Sequence, residues 1–387
     1  MRRDVQAALL AVQVPDELEA QRRTWAVVRG AYAAREPVPR RGRRFQLVVA
    51  FAVVAALLAA ALSPPGRSVG GWIRDRIAGQ EEAEPALFRL PAAGRLLVVS
   101  EQGPWLVRPD GSKRLLGSYE DASFSPNGKY VLVTDGRRVL ALEPDSDPRW
   151  SVTRPTPVAD ARWAPSPGFR VAYREGNTLR VVIGDGTGDR LLAENVAPVA
   201  PAWLPEEGRT VLAYAGTDGR VHVVEVDSGE QLWSAKPGAA PEQLVWSSDG
   251  ALLLVVTPGA RHPLYRAGGR SAGALQTSSG LNVLDADFAP GTRDVAYAAF
   301  DPDAGRSVVV LDGQRLQRVE GHLEDVVFSP NGRWLVTGWP EADQLLFIGL
   351  PGVRRLDAVS DVRREFDPGG RGATEFPRVV GWCCKPT

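Results

Sequence analysis

The residues that could do chemistry in this chain of 387 are few: three histidines, two cysteines and two runs of glycine with aspartate. His222 alternates with apolar neighbours in a β-type run, which reads as a structural or surface strand residue and not as a general base. His322 follows Gly321 and belongs to a turn network. His262 stands between Arg261 and Pro263 in the stretch 258–274, the longest variable hairpin region, where a solvated loop residue is the expectation. No pair of histidines shares ligand spacing with a cysteine or carboxylate, so neither zinc nor iron is expected. A Gly-x-Ser-x-Gly nucleophile motif is absent as well.

Gly184-Asp185-Gly186-Thr187-Gly188-Asp189 lacks the lysine and following helix of a phosphate cradle. That run and Asp301-Pro302-Asp303-Ala304-Gly305 fall between β-runs and read as strand connections, with no calcium expected in them. Cys383 and Cys384 are adjacent, so they cannot staple distant strands. Three fates are open to them: reduced packing, a vicinal disulfide, which geometry disfavours, or a bridge to another chain. The expectation is no catalytic, cofactor or metal site and no enzyme, with binding residues unassigned.

The elements that position these residues begin with an asymmetric N-terminus. Residues 1–44 carry ten arginines against five acids and end in Arg40, Arg41, Arg43 and Arg44. From Phe45 to Leu62 the only polar residue is Gln46, and that length gives about 27 Å of helix, close to the hydrocarbon core of a bilayer. The flanking arginines predict a single-pass anchor at 45–63 with residues 1–44 in the cytoplasm and everything later outside. A cleaved signal peptide fits less well, because its basic start would be far too long. Within the tail, Asp16-Glu17-Leu18-Glu19 followed by Trp25, Val27, Val28 and Tyr32 spells a short amphipathic helix, which either packs at the membrane or docks a cytoplasmic partner. Residues 64–86 read as a linker with a second short helix at Val69, Trp72, Ile73 and Ile77. The 46 basic residues balance 46 acidic ones, which argues against nucleic acid as a partner. Arginine far exceeds lysine amid abundant Ala, Gly, Pro and Val, as in proteins of GC-rich bacteria.

From residue 87 to 387 an internal repeat dominates. An aromatic followed by a Pro- or Gly-rich turn recurs at Phe124, Trp163, Trp203, Trp246, Phe288 and Phe328, stepping by 39, 40, 43, 42 and 40 residues. Each unit holds short β-runs separated by turn formers, such as Val171–Tyr173 then Thr178–Ile183. A period near 40–45 with several strands per unit is that of propeller blades. An extra unit precedes Phe124, with strands near Arg95–Ser100, Trp105–Arg108 and Lys113–Tyr119. The closing run 376–382 ends in Trp382, in the manner of Trp203 and Trp246. If it supplies the innermost strand of that first unit, the ring closes without exposed edges and the protein is an all-β, seven-bladed β-propeller. Six blades result if the first unit is incomplete, and eight if the gap between Phe328 and Trp382 hides another.

These units resemble the WD-like propeller repeats of the TolB-type family over about residues 87–383. The most specific stretch is Gly321-His322 with Val326 and Phe328-Ser329-Pro330-Asn331-Gly332-Arg333-Trp334. Ile348-Gly349 stands where a Trp-Asp pair would be, and the Gly-His pair occurs in one unit only. Val226-Asp227-Ser228-Gly229-Glu230-Gln231-Leu232-Trp233 is similar to one unit of a quinoprotein-type propeller. The whole arrangement resembles membrane-anchored propellers of high-GC bacteria. The resemblance fixes the fold and not the partner; the anchor, the exposed loops and channel of a propeller and the lack of catalytic residues lead to the expectation of a membrane-anchored extracytoplasmic binding or scaffold module for an envelope protein, peptide or glycan. The alternative is a transmembrane sensor acting through residues 1–44, and a propeller hydrolase is the weakest reading.

Overall fold

The computed structural model describes residues 89–165, 169–206, 208–350, 355–368 and 375–384. The expected tail at 1–44, anchor at 45–63 and linker at 64–86 lie outside the described residues. Among the described residues no helix is long and apolar enough to cross a membrane.

The described strands form seven four-stranded antiparallel sheets, each a blade. Blade 1 runs, from inside outward, Arg378–Cys383, Arg95–Ser100, Gly103–Val107 and Lys113–Leu115. Blades 2 to 7 begin with the inner strands Asp121–Phe124, Val158–Trp163, Ala202–Trp203, Gln243–Trp246, Asn282–Phe288 and Glu324–Phe328. Each inner strand touches the next, and Arg378–Cys383 touches both Asp121–Phe124 and Glu324–Phe328, so the ring is closed. Seven blades and closure by the C-terminal strand are therefore as the repeat predicts. One boundary differs: the strand expected at 113–119 stops at Leu115. There the backbones of Gly103 and Gly117 meet so closely that a Cβ on Gly103 would lie 2.0 Å from the Gly117 carbonyl, and the chain turns away.

Burial explains why these sequences form these strands. The second strand of each blade is covered on both faces, and Val131–Asp135 accordingly reads Val-Leu-Val-Thr-Asp with four residues buried. Outer strands meet solvent on one side, and in Pro148–Thr153 half-buried residues alternate with exposed ones. The turn after the inner strand is built by side chains. Ser125 Oγ bonds Asn127 Oδ1 at 3.1 Å and accepts the Tyr130 N–H at 2.9 Å. Ser329 with Asn331, and Ser247 with Asp249, repeat the device, which holds the Asp249 carboxyl down at about 2 chiefly through the Ser247 hydroxyl.

The recurring aromatics wedge between blades. Trp163, Trp203, Trp246, Phe288, Phe328 and Trp382 are all buried, and Phe124 is partly so. The Trp203 indole N–H donates to the Arg162 carbonyl at 2.9 Å, and Trp246 does the same to Ala202 at 3.2 Å, so each pins the inner edge of the preceding blade. Trp203→Ala should cost about 3–5 kcal/mol from the lost packing. Trp203→Phe should cost only about 1 kcal/mol for the orphaned carbonyl. Urea midpoints followed by circular dichroism check both values, and equal losses for the two variants would remove the hydrogen bond from this account.

Candidate binding face at the channel mouth

Side chains three residues before the aromatic line the axis and stitch neighbouring blades together. Asp285 Oδ2 accepts the Val326 N–H of blade 7 at 2.6 Å, while its Oδ1 accepts Gln243 Nε2 of blade 5 at 2.5 Å. Asp325 accepts the Val379 N–H of blade 1 at 2.5 Å. Gln243 Oε1 in turn accepts the Ala286 N–H at 3.0 Å. Inner strands would otherwise show the axis an unpaired edge, and these contacts satisfy part of it. Asp325 and its counterpart Asp160 reach the channel from β-bulges, at φ of 60° and 56°.

Asp287 is different. Its carboxylate accepts only the N–H of its own neighbour Phe288, at 2.8 Å. Asp285, Asp287 and Asp325 are enclosed by protein yet keep part of their surface open to the channel. Burial pushes Asp285 up to about 6. Burial, then the charge of Asp285, pushes Asp287 and Asp325 up to about 7.

Above this column, where blades 1, 2 and 7 meet, lies a cleft of about 680 Å³. Its walls come from the turn after Arg95–Ser100, the connection 118–120 into blade 2, the first residue of blade 7, and the segment 375–378 entering the closing strand. Four glutamates, Glu101, Glu120, Glu324 and Glu375, line it against two arginines, Arg363 and Arg378, with Val99, Tyr119, Pro340 and Phe376 as the less polar part. The short helix Val362–Phe366 carries Arg363, whose guanidinium lies 5.2 Å from the centre of the Phe376 ring and donates to the Pro340 carbonyl at 2.9 Å. Phe376 fits only because residue 338 is glycine, since a Cβ there would come within 2.6 Å of the ring. Glu101 accepts the Glu375 N–H at 2.8 Å, and Arg378 stands 4.0 Å from Asp121. Burial raises the Glu324 carboxyl, with Arg378 and Arg363 opposing.

His222 sits on a strand as expected, its ring 5.0 Å from Tyr214 and its nitrogens facing Gln231 and Asp218. His322 bonds Glu341 at 3.0 Å and stacks on Phe300, a turn role. His262 departs from expectation. It lies in the third strand of blade 5, Arg261–Arg266, and is wholly buried. Its Nδ1 accepts the Thr257 N–H and its Nε2 faces Thr277 Oγ1, both at 3.4 Å, which assigns the proton to Nε2. Burial lowers its pKa, so it is neutral packing and not a ligand contact.

Both glycine runs are strand connections, as predicted. Gly186 leaves room for Trp150, whose indole bonds the Gly184 carbonyl at 2.8 Å. Asp189 is held by Tyr173, Arg180 and Arg154 at 2.8, 3.1 and 2.9 Å, a structural network inside blade 3. The structure joins Cys383 to Cys384, the fate that geometry disfavours, against the carbonyls of Ser125 and Pro126. Among the described residues no three acids, histidines or cysteines converge as a metal cage.

The cleft was not visible in the sequence, but the polar residues of the inner strands left a trace there. The residue three before the aromatic is Asp121, Asp160, Gln243, Asp285 or Asp325 in five of the seven units.

No protein-family model and no curated protein sequence matches the chain. Among solved structures, 1748 chains are similar to it. One, from a crystal structure of the mitotic checkpoint complex, superposes with a TM-score of 0.53 at 15% identity, covering 70% of this chain and 96% of that one. At that identity the likeness shows the fold alone, and the fold is a seven-bladed, WD-repeat-like β-propeller.

Proposed function

We propose that this chain is a single-pass membrane protein that holds its propeller outside the cytoplasmic membrane as a non-catalytic platform for an envelope protein, peptide or glycan. The observation that carries the binding role is the cleft at the channel mouth, a preformed concavity within the range of ligand sites that mixes aromatic and charged walls. Membrane attachment rests on the apolar run 45–62 behind its arginine cluster, and orientation on the positive-inside bias. The resemblance to TolB-type propellers and the GC-rich residue usage support a bacterial envelope setting. A non-catalytic role is supported by the histidines, each held by packing or hydrogen bonds in a structural place.

A second reading makes the propeller the sensory half of a transmembrane regulator. It is favoured by the acidic turn and helical apolar spacing of residues 16–32, which suit a docking helix for a cytoplasmic protein. Cross-linking in native membranes, comparing the full chain with one lacking residues 1–44, separates the two. The platform reading expects an extracytoplasmic partner that survives the deletion. A cytoplasmic partner that disappears with the tail hands the case to the regulator.

A further inference from the structure

We infer that the channel-mouth cleft receives an arginine- or lysine-bearing segment of a protein partner. This rests on the platform reading above and names the chemistry of its ligand.

The charges lining the cleft are unevenly committed. Arg363 is engaged by Pro340 and by Asp343 at 3.4 Å, and Arg378 leans toward Asp121. Glu101 is held by the Glu375 backbone. The carboxylates of Glu120 and Glu324, by contrast, take part in no hydrogen bond or ion pair among the described residues, although Glu324 is half-buried. Glu324 also precedes Asp325 on the inner strand of blade 7, and the charge of Asp285 reaches both Asp325 and Asp287. An entering anion would meet this field unfavourably, whereas a cation relieves it.

The shape of the charge selects the kind of cation. No three acidic groups among the described residues approach closely enough to cage a metal ion, so the field suits an extended cation that makes hydrogen bonds one at a time. The protein already holds one such group here: the Arg363 guanidinium on the Phe376 ring, with a carbonyl and a carboxylate as acceptors. Glu324, Glu120 and the half-buried Tyr119 offer a second guanidinium the same kinds of contact. The apolar part, Val99, Pro340 and Phe376, gives a peptide backbone and aliphatic stems a surface that a small polyamine would not need.

The test uses the full chain in detergent and two labelled probe peptides, one with two arginines among leucine and proline and one with glutamates in their place. Fluorescence anisotropy should show binding of the arginine probe only, weakening as sodium chloride rises. The double variant Glu120→Gln with Glu324→Gln should weaken it roughly tenfold. Glu206→Gln, on the opposite end of the propeller, should change nothing. Both glutamates lack structural partners, so a melting temperature no lower than the parent's is expected and confirms the fold. Equal binding of the two probes, or arginine-probe binding indifferent to the double variant, overturns the inference. A benzophenone residue replacing Tyr119 in native membranes separates this failure from that of the platform itself. If it captures a partner segment without arginine or lysine, the ligand chemistry is wrong while the platform stands. If native-membrane cross-linking finds no extracytoplasmic partner, the platform reading falls.

Discussion

Ending the chain after Pro377 should leave no cooperatively folding propeller. The lost strand, Arg378–Cys383, pairs with Arg95–Ser100 through Leu96 opposite Trp382, and it is the contact between the two ends of the ring. Its removal exposes the edge of Arg95–Ser100 and uncovers the apolar cluster that Val379 and Trp382 share with Trp334, Phe347 and Phe376. Trp382 alone is nearly buried and meets Phe347 edge-on at 5.7 Å, so Trp382→Ala should cost about 3–5 kcal/mol. That is a large part of a stability of about 5–15 kcal/mol. Trp382→Phe should cost less than Trp203→Phe, which gives up a hydrogen bond as well as packing area. The Trp382 indole N–H is buried with no hydrogen-bond partner among the described residues, so phenylalanine gives up packing area but no bond, and the change should stay within about 1 kcal/mol of the parent. Urea titrations of the full chain in detergent give these numbers. A truncated chain that still unfolds in one steep transition with the parent's midpoint would mean that the C-terminal strand does not close the ring.

The blade count and the closure were legible because they are periodic and compositional. An aromatic every forty-odd residues, a Ser-Pro-Asn-Gly turn and a Trp382 that repeats the pattern of Trp203 and Trp246 leave few ways to finish a circle. What was not legible depends on residues that meet only after the circle is complete. Glu101 and Glu120 come from the first unit, Glu324 and Pro340 from the last, and Glu375 and Arg378 from the returning strand, so no local window contains the cleft. The acids three before the aromatic form a pattern, yet their role as blade-to-blade acceptors appears only when Asp285 finds Val326 across a blade boundary. His262 was misread through Pro263. Proline usually marks a loop or strand edge, and here the ladder with Leu252–Val256 ends at Leu264, just short of it. The strand nevertheless continues on its other side, where Pro263 faces Ala274, and this carries His262 into the interior.

Those buried carboxylates make the protein's stability depend on pH in a direction opposite to that of most surface acids. In the unfolded chain Asp287 loses its proton near the usual aspartate value, whereas in the folded chain it keeps it to about 7. Between those values the folded state holds a proton that the unfolded state has lost, so stability rises as pH falls from 8 toward 5 and gains nothing more once both states are protonated. Asp285 and Asp325, at about 6 and 7, act in the same sense. His262 opposes them, because burial lowers its pKa and the unfolded chain takes up a proton near 6.5 that the fold resists. Asp287→Asn isolates one contribution: the amide oxygen can still accept the Phe288 N–H, and the charge is gone. Channel water softens the penalty on the parent carboxylate, so the variant should be more stable by about 2 kcal/mol at pH 8 and by clearly less at pH 5, where the folded carboxyl has already taken up its proton. Asp285→Asn should not share this gain, since the amide would place a donor against the Val326 N–H or the Gln243 amide. Thermal melts of parent and variants at the two pH values decide the matter. A parent no more stable at pH 5 than at pH 8, or an Asp287→Asn shift equal at both, would mean that the channel is wet enough to keep these acids ionised. The negative field offered at the cleft would then be stronger at neutral pH.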